Sequence, residues 1–169
     1  MLEGKTMKFL FPILFIIVSL LAQDNYEDWD KQYKLTPTVI DSDAHNAYIE
    51  IFTNKKATSA YINKAKEYPV GAIVYKPLYQ DKAKKILVRV VIMEKMYKGY
   101  DSQNGDWFYA VSNPKGDDVY EKGRIDHCIS CHKLVKDTDY MFSQSVMKKI
   151  DDENFELERI IPDLELYEK

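Results

Sequence analysis

Two cysteines occur in the 169 residues, standing three apart as Cys128-Ile129-Ser130-Cys131, with His132 immediately after. Thiols at i and i+3 lie on one face of a helical turn, so both sulfurs can add to the two vinyl groups of one porphyrin. An adjacent imidazole can then take the iron as an axial ligand. This C-x-x-C-H string is the attachment signature of c-type haem. It predicts one covalent haem held by Cys128 and Cys131, with His132 on the iron. Competing uses of the cysteines fit less well. A disulfide across so short a loop restricts little of the unfolded chain. A thioredoxin-like redox pair belongs beside a βαβ pattern, which the sequence lacks. Structural zinc wants four ligands, and only His127 and His132 lie near the cysteines.

Haem of this kind is attached outside the cytoplasm, and the N-terminus agrees. Lys8 precedes an apolar run from Phe9 to Ala22 broken only by Ser19. That run is short of the roughly 20 residues a membrane span needs and suits the apolar region of a secretory signal. Residues 1–22 are expected to be a signal peptide and 23–169 a single domain, with a retained membrane anchor as the alternative. Both readings place the folded part outside the cytoplasm; with the signal removed, no membrane association is expected. The net charge of −3 and the absence of a basic stripe exclude nucleic acid as a main partner. Lysines and acids alternate along most of the chain as on a solvated surface.

The elements that must position the haem segment read mainly as strands. Residues 24–44 form an irregular lead-in or a short helix. His45–Thr53 alternates, with Ala47, Ile49 and Ile51 on one side, as a half-buried strand does. Asn54 has the character of an N-cap for a helix through Ala57, Tyr61 and Ala65, ended by Pro69. Strands are expected over Gly71–Tyr79, Ile86–Tyr97, Asp106–Ser112 and Val119–Lys122. The turns between them, including Asn104-Gly105 and Asn113-Pro114-Lys115-Gly116, suit antiparallel pairing. The fold class is therefore α+β, mainly antiparallel β-sheet with a few short helices and a C-terminal haem-attachment segment. Helical cytochromes, whether small electron carriers or four-helix bundles, do not have this strand-rich middle. Phe155 to Tyr167 reads as an acidic packed or partly loose tail.

Four segments resemble the cytochrome P-460 family: Pro69-Val-Gly-Ala-Ile-Val-Tyr-Lys76, Gly99-Tyr-Asp-Ser-Gln-Asn-Gly-Asp-Trp-Phe-Tyr109, Cys128-Ile-Ser-Cys-His132 and Asp139-Tyr-Met-Phe142. Their order and approximate spacing match across about residues 45–143. The resemblance implies a β-sheet c-type haem protein, commonly a homodimer in a bacterial periplasm, with five-coordinate haem and His132 as proximal ligand. It further implies one of two activities. One is oxidation of hydroxylamine or a related nitrogen oxide, with electrons leaving to a soluble acceptor. The other is nitric-oxide binding without catalysis, as in the β-sheet cytochromes c-prime. In the enzymatic branch a lysine is cross-linked to the porphyrin edge, and Lys76 is the matching position.

The residues themselves leave several roles open. Ala72, Val74, Lys76 and Leu78 share a strand face. Lys76 is thus either an inward amine made nucleophilic by burial or a lysine beside Pro77 whose amine reaches solvent. Arg89, on a face with Leu87, Val91 and Met93, either pairs with a haem propionate or faces solvent. A proton acceptor over the iron could be Glu94 or Asp106, although solvated turns explain both; an apolar cap could come from Phe108, Tyr109 or Phe52. His127 is expected at the surface or near a propionate, and His45 to be structural or to line the pocket. Met141 and Met147 are core residues or, for a simple electron-transfer cytochrome, sixth ligands.

Overall fold

The computed structural model describes residues 25–142; the expected signal peptide, Met147 and the acidic tail lie outside them. Antiparallel strands dominate, as the alternation and turn residues predict. Four long strands form the centre: β5 (Ile73–Tyr79), β6 (Leu87–Lys95), β7 (Trp107–Ser112) and β8 (Val119–Gly123). Each pairs antiparallel with the next. Before them come β1 (Tyr33–Lys34), β2 (Ile40–Ser42), β3 (Ala47–Ile49) and β4 (Phe52–Thr53). These complete an eight-stranded sheet ordered β1-β4-β5-β6-β7-β8, with β3 also on β5 and β2 beyond β3.

The single strand expected over His45–Thr53 is two strands with a break at Glu50–Ile51, and Pro77 supplies a physical reason. Glu50 N donates to the Pro77 carbonyl, and a strand residue turns its N and O to the same side. Proline's missing N–H therefore faces the break, where a continuous ladder would need a donor. His45 is not in a strand at all. It ends a short 3-10 turn, Asp43–His45, between β2 and β3. The lead-in has a short helical turn, Trp29–Lys31, in keeping with one of the two readings, and two strands that the sequence did not suggest, β1 and β2.

Helix α1 (Lys55–Ile62) begins where expected. The Asn54 side chain accepts from Ala57 N at 3.0 Å and from Ile73 N at 3.1 Å, so one cap ties helix to sheet and contributes about 1 kcal/mol. The helix stops short of Ala65 because the chain turns left-handed at Lys64, φ 49°.

The sheet buries both faces, and the pairing separates their residues. Val74, Met93, Tyr109 and Val111 belong to one apolar cluster, together with α1 and the C-terminal segment. Tyr75, Ile92, Val90 and Ala110 belong to the other. Over this second face lies the lead-in. Trp29 packs edge-on against Phe52 and donates from Nε1 to the Pro114 carbonyl at 3.0 Å. Gly116, at φ +88°, lets the lead-in approach this closely: a Cβ there would meet the Tyr26 carbonyl oxygen at 2.5 Å. The first face remains for the functional segment, which follows β8 as α2 (Asp126–His132) and the 3-10 stretch Lys133–Thr138. Among the described residues no helix is long and apolar enough to cross a membrane.

Candidate functional site

A cavity of about 530 Å³ opens on the first face, within the roughly 300–1,000 Å³ range of small-molecule and cofactor sites. Its floor is β5, β6 and β7, through Val74, Lys76, Arg89, Val91, Tyr109 and Val111. One wall is α2 with the segment behind it; the other is the β2–β3 hairpin with its 3-10 turn. These walls rise from opposite edges of the central strands, since β3 flanks β5 whereas α2 follows β8.

Helix α2 presents the expected cysteines and histidine to this space. Cys128 and Cys131 are unbridged and half-buried, and both line the cavity. Burial, reinforced by the Glu121 carboxylate, pushes the Cys128 thiol up to about 11. His132 is 7% exposed, and its Nδ1 lies 2.7 Å from the Tyr140 carbonyl oxygen. A carbonyl only accepts, so Nδ1 carries the proton and the lone pair resides on Nε2, the arrangement an iron ligand requires. Tyr109 and Phe142 hold the ring in place, at centroid distances of 5.6 and 5.3 Å. Burial, followed by the nearby Lys76 charge, lowers the His132 pKa to about 4, with the Tyr140 hydrogen bond opposing. The imidazole is neutral at pH 7.

Tyr140 is fixed in turn. Asp139 and Tyr140 are both left-handed, at φ 52° and 64°. The Tyr140 ring lies over Gly105, where a Cβ would come within 2.3 Å of it. Asp139 is held by Lys95, by Tyr68 N and by the Trp107 indole. Thus the Gly-Asp-Trp and Asp-Tyr-Met-Phe segments, 32 residues apart at Trp107 and Asp139, join directly behind the histidine.

Lys76 points to the cavity side of β5, directly across from Val91 on β6. Burial pulls its amine down to about 8, while the two cysteines oppose the shift. Arg89 lies opposite Leu78, on the same sheet face as Lys76. It borders the cavity at its rim with its side chain exposed, the solvent-facing half of the sequence alternative. Among the described residues it has no salt bridge.

Other expectations are redistributed. Glu94 pairs with Phe108 across β6 and β7, and neither it nor Asp106 lines the cavity. Asp106 instead ties its own turn, accepting from Gly99 N and Asp101 N. Phe52 and Phe108 belong to the opposite sheet face; of the three proposed cap residues only Tyr109 reaches the site. His127 is exposed at the rim, 3.9 Å from Glu121. Met141 is buried at the α2 wall. His45, for which the sequence left a structural or a pocket-lining role, lines the hairpin wall, with Nδ1 2.9 Å from Ser42 Oγ. Burial, then Lys76, His132 and Arg89, lowers its pKa to about 3.

These features fit a haem. The apolar floor suits a porphyrin, two thiols and a lone-pair-bearing imidazole share one wall, and the unpaired Arg89 guanidinium at the rim suits an anionic edge. The buried Tyr109 hydroxyl lacks a hydrogen-bond partner among the described residues. Among the described residues no cluster of three or more His, Cys, Asp or Glu would hold a bare metal ion. A search of curated proteins finds no match. A family model described as Cytochrome P460 matches residues 23–143, and haem is the cofactor that this membership implies. Sheet, cavity, the Cys128–His132 segment and the family match agree, and the chain belongs to the cytochrome P460 family.

Proposed function

We propose that this is a periplasmic monohaem c-type cytochrome that binds and oxidises hydroxylamine or a related nitrogen oxide. The observation that carries the reading is the convergence of Cys128, Cys131 and His132 on one cavity, with His132 Nδ1 tied to Tyr140. Cys128 and Cys131 would each form a thioether to one haem. His132 Nε2 would be the proximal ligand, its basicity raised by the Nδ1 hydrogen bond. Lys76 would bond to the porphyrin edge from the floor, its lowered pKa favouring the neutral amine that such a bond needs. When bound, the haem supplies an iron that can take the substrate nitrogen and pass electrons to a soluble acceptor. The apolar walls exclude water from the reacting group. A homodimer in the periplasm is the expected form.

The test is hydroxylamine-dependent reduction of an artificial acceptor by purified holoprotein. Turnover well above that of free haem is expected; turnover no better than free haem would overturn the enzymatic reading. A second reading has its own support. Neither Glu94 nor Asp106 reaches the cavity, and Ile49, Ile51, Val91 and Val111 give it apolar walls. A nitric-oxide-binding role needs little proton handling. Tight nitric-oxide binding without hydroxylamine turnover would establish it.

A further inference from the structure

We propose that His45 is the ligand-contacting residue of the cavity's far wall, where its Nε2 hydrogen-bonds to the small polar molecule held opposite His132. The inference deepens the haem reading and rests on it. His45 and His132 enter one cavity from walls at opposite edges of the sheet. Each ring is anchored through Nδ1, His132 by the Tyr140 carbonyl and His45 by the Ser42 hydroxyl. In both, Nε2 is the atom left without a partner among the described residues. The anchors differ in kind, and the difference matters. A carbonyl can only accept, which locks His132 with a lone pair on Nε2. A hydroxyl can donate or accept, so His45 can present either an N–H or a lone pair. Hydroxylamine carries both donors and acceptors, and an imidazole of adjustable tautomer complements it better than a fixed donor would.

The hairpin is built to hold this residue over the pocket. Ile40, Asp41 and Ser42 of β2 pair with Ile49, Tyr48 and Ala47 of β3. Asn46 turns the chain left-handed at φ 46°, a conformation that asparagine tolerates better than most residues. The other cavity-lining residues of the hairpin are Ile40, Asp41, Ser42, Ala44, Asn46 and Ile49. Asp41 and Asn46 are exposed, and the Ser42 hydroxyl is taken up by His45 Nδ1, which leaves His45 as the half-buried nitrogen donor or acceptor of that wall.

The experiment compares wild type, His45→Leu and His45→Gln holoproteins, first confirming haem content by the pyridine haemochrome spectrum. Azide affinity is measured on the ferric proteins and carbon monoxide affinity on the ferrous ones. Loss of one hydrogen bond weakens binding by about tenfold. The expected result is a loss of about that size for azide in His45→Leu, partial recovery in His45→Gln, and a carbon monoxide affinity little changed. Equal losses for both ligands, or none, would overturn the role of His45. So would a low-spin six-coordinate resting spectrum that becomes high-spin in His45→Leu, because the imidazole would then sit on the iron itself. A wild-type protein isolated without haem would instead sink the haem reading, and this inference with it.

Discussion

Lys95 Nζ lies 2.7 Å from both carboxylate oxygens of Asp139, with the two side chains only 6% and 7% exposed. The pair is far from solvent and close to the chemistry. Asp139 immediately precedes the residue whose carbonyl orients His132, and both residues of that step are left-handed. Tyr68 N and the Trp107 indole complete the carboxylate's surroundings. A buried pair of this kind contributes little relative to an apolar replacement, but removing one partner strands a charge.

Asp139→Asn is therefore expected to destabilise the holoprotein by about 3–5 kcal/mol, read from urea unfolding. Asparagine accepts the left-handed backbone, so the substitution isolates the charge. Removing the lysine charge as well, in Lys95→Met with Asp139→Asn, should recover much of the loss. A single variant within about 0.5 kcal/mol of wild type, the range of ordinary surface changes, would show that the pair does not hold the loop.

The fold was largely legible because its signals are local. Apolar or alternating runs bounded by turn residues marked β5 to β8, Asn54 marked the start of α1, and the turns implied antiparallel pairing. What stayed hidden depends on neighbours distant in sequence. The break at Glu50–Ile51 needs Pro77 beside it, and β1 and β2 are too short to show a period. In the site, Cys128, Cys131 and His132 declare themselves by spacing alone. His45 does not: an isolated histidine gains meaning only when the hairpin folds over the sheet. Glu94 failed as a candidate for a related reason. Its strand carries apolar residues on both sides, so composition cannot tell which face looks into the cavity. Pairing with Phe108 settles that.

Covalent attachment can be dissected one sulfur at a time. Cys128→Ser and Cys131→Ser proteins should each keep one thioether, with a shifted pyridine haemochrome band, whereas the double variant should release its haem on acid–acetone extraction once Lys76→Ala is added to remove the third proposed attachment. His132→Gly should keep the covalent haem but lose its proximal nitrogen, and added imidazole should restore the wild-type spectrum. Haem extractable from wild type would contradict the assignment of the cysteines.

Lys76 has its own spectroscopic test. A bond from its amine to the porphyrin would perturb the conjugated ring and give a strongly red-shifted absorption band. Lys76→Ala and Lys76→Arg should both lack that band while retaining thioether-bound haem in intact-mass spectra. Persistence of the band in either variant would rule out Lys76 as the attachment point.

Acid stability should report the burial of His45. Its pKa falls from 6.5 to about 3, chiefly through burial and then through the charges of Lys76, His132 and Arg89. Between those two values the unfolded chain binds a proton that the folded chain does not, so stability declines as pH drops from 6.5 toward 3. The slope from one such group is at most about 1.4 kcal/mol per pH unit, and partial exposure reduces it. Glu50 adds a second decline at lower pH. Burial raises its pKa, but hydrogen bonds from Lys34, Lys84 and Tyr79 outweigh that and lower it overall, so its contribution is present above its ordinary value of 4.5 and lost below. In His45→Gln the Glu50 effect is unchanged, and the difference between variant and wild type isolates the histidine. Urea midpoints of the two holoproteins should run parallel above pH 7 and separate between pH 6 and 4, with wild type losing stability faster. Curves that stay parallel through that range would mean that His45 titrates alike in the folded and unfolded chains, and so does not sit in the apolar wall described above.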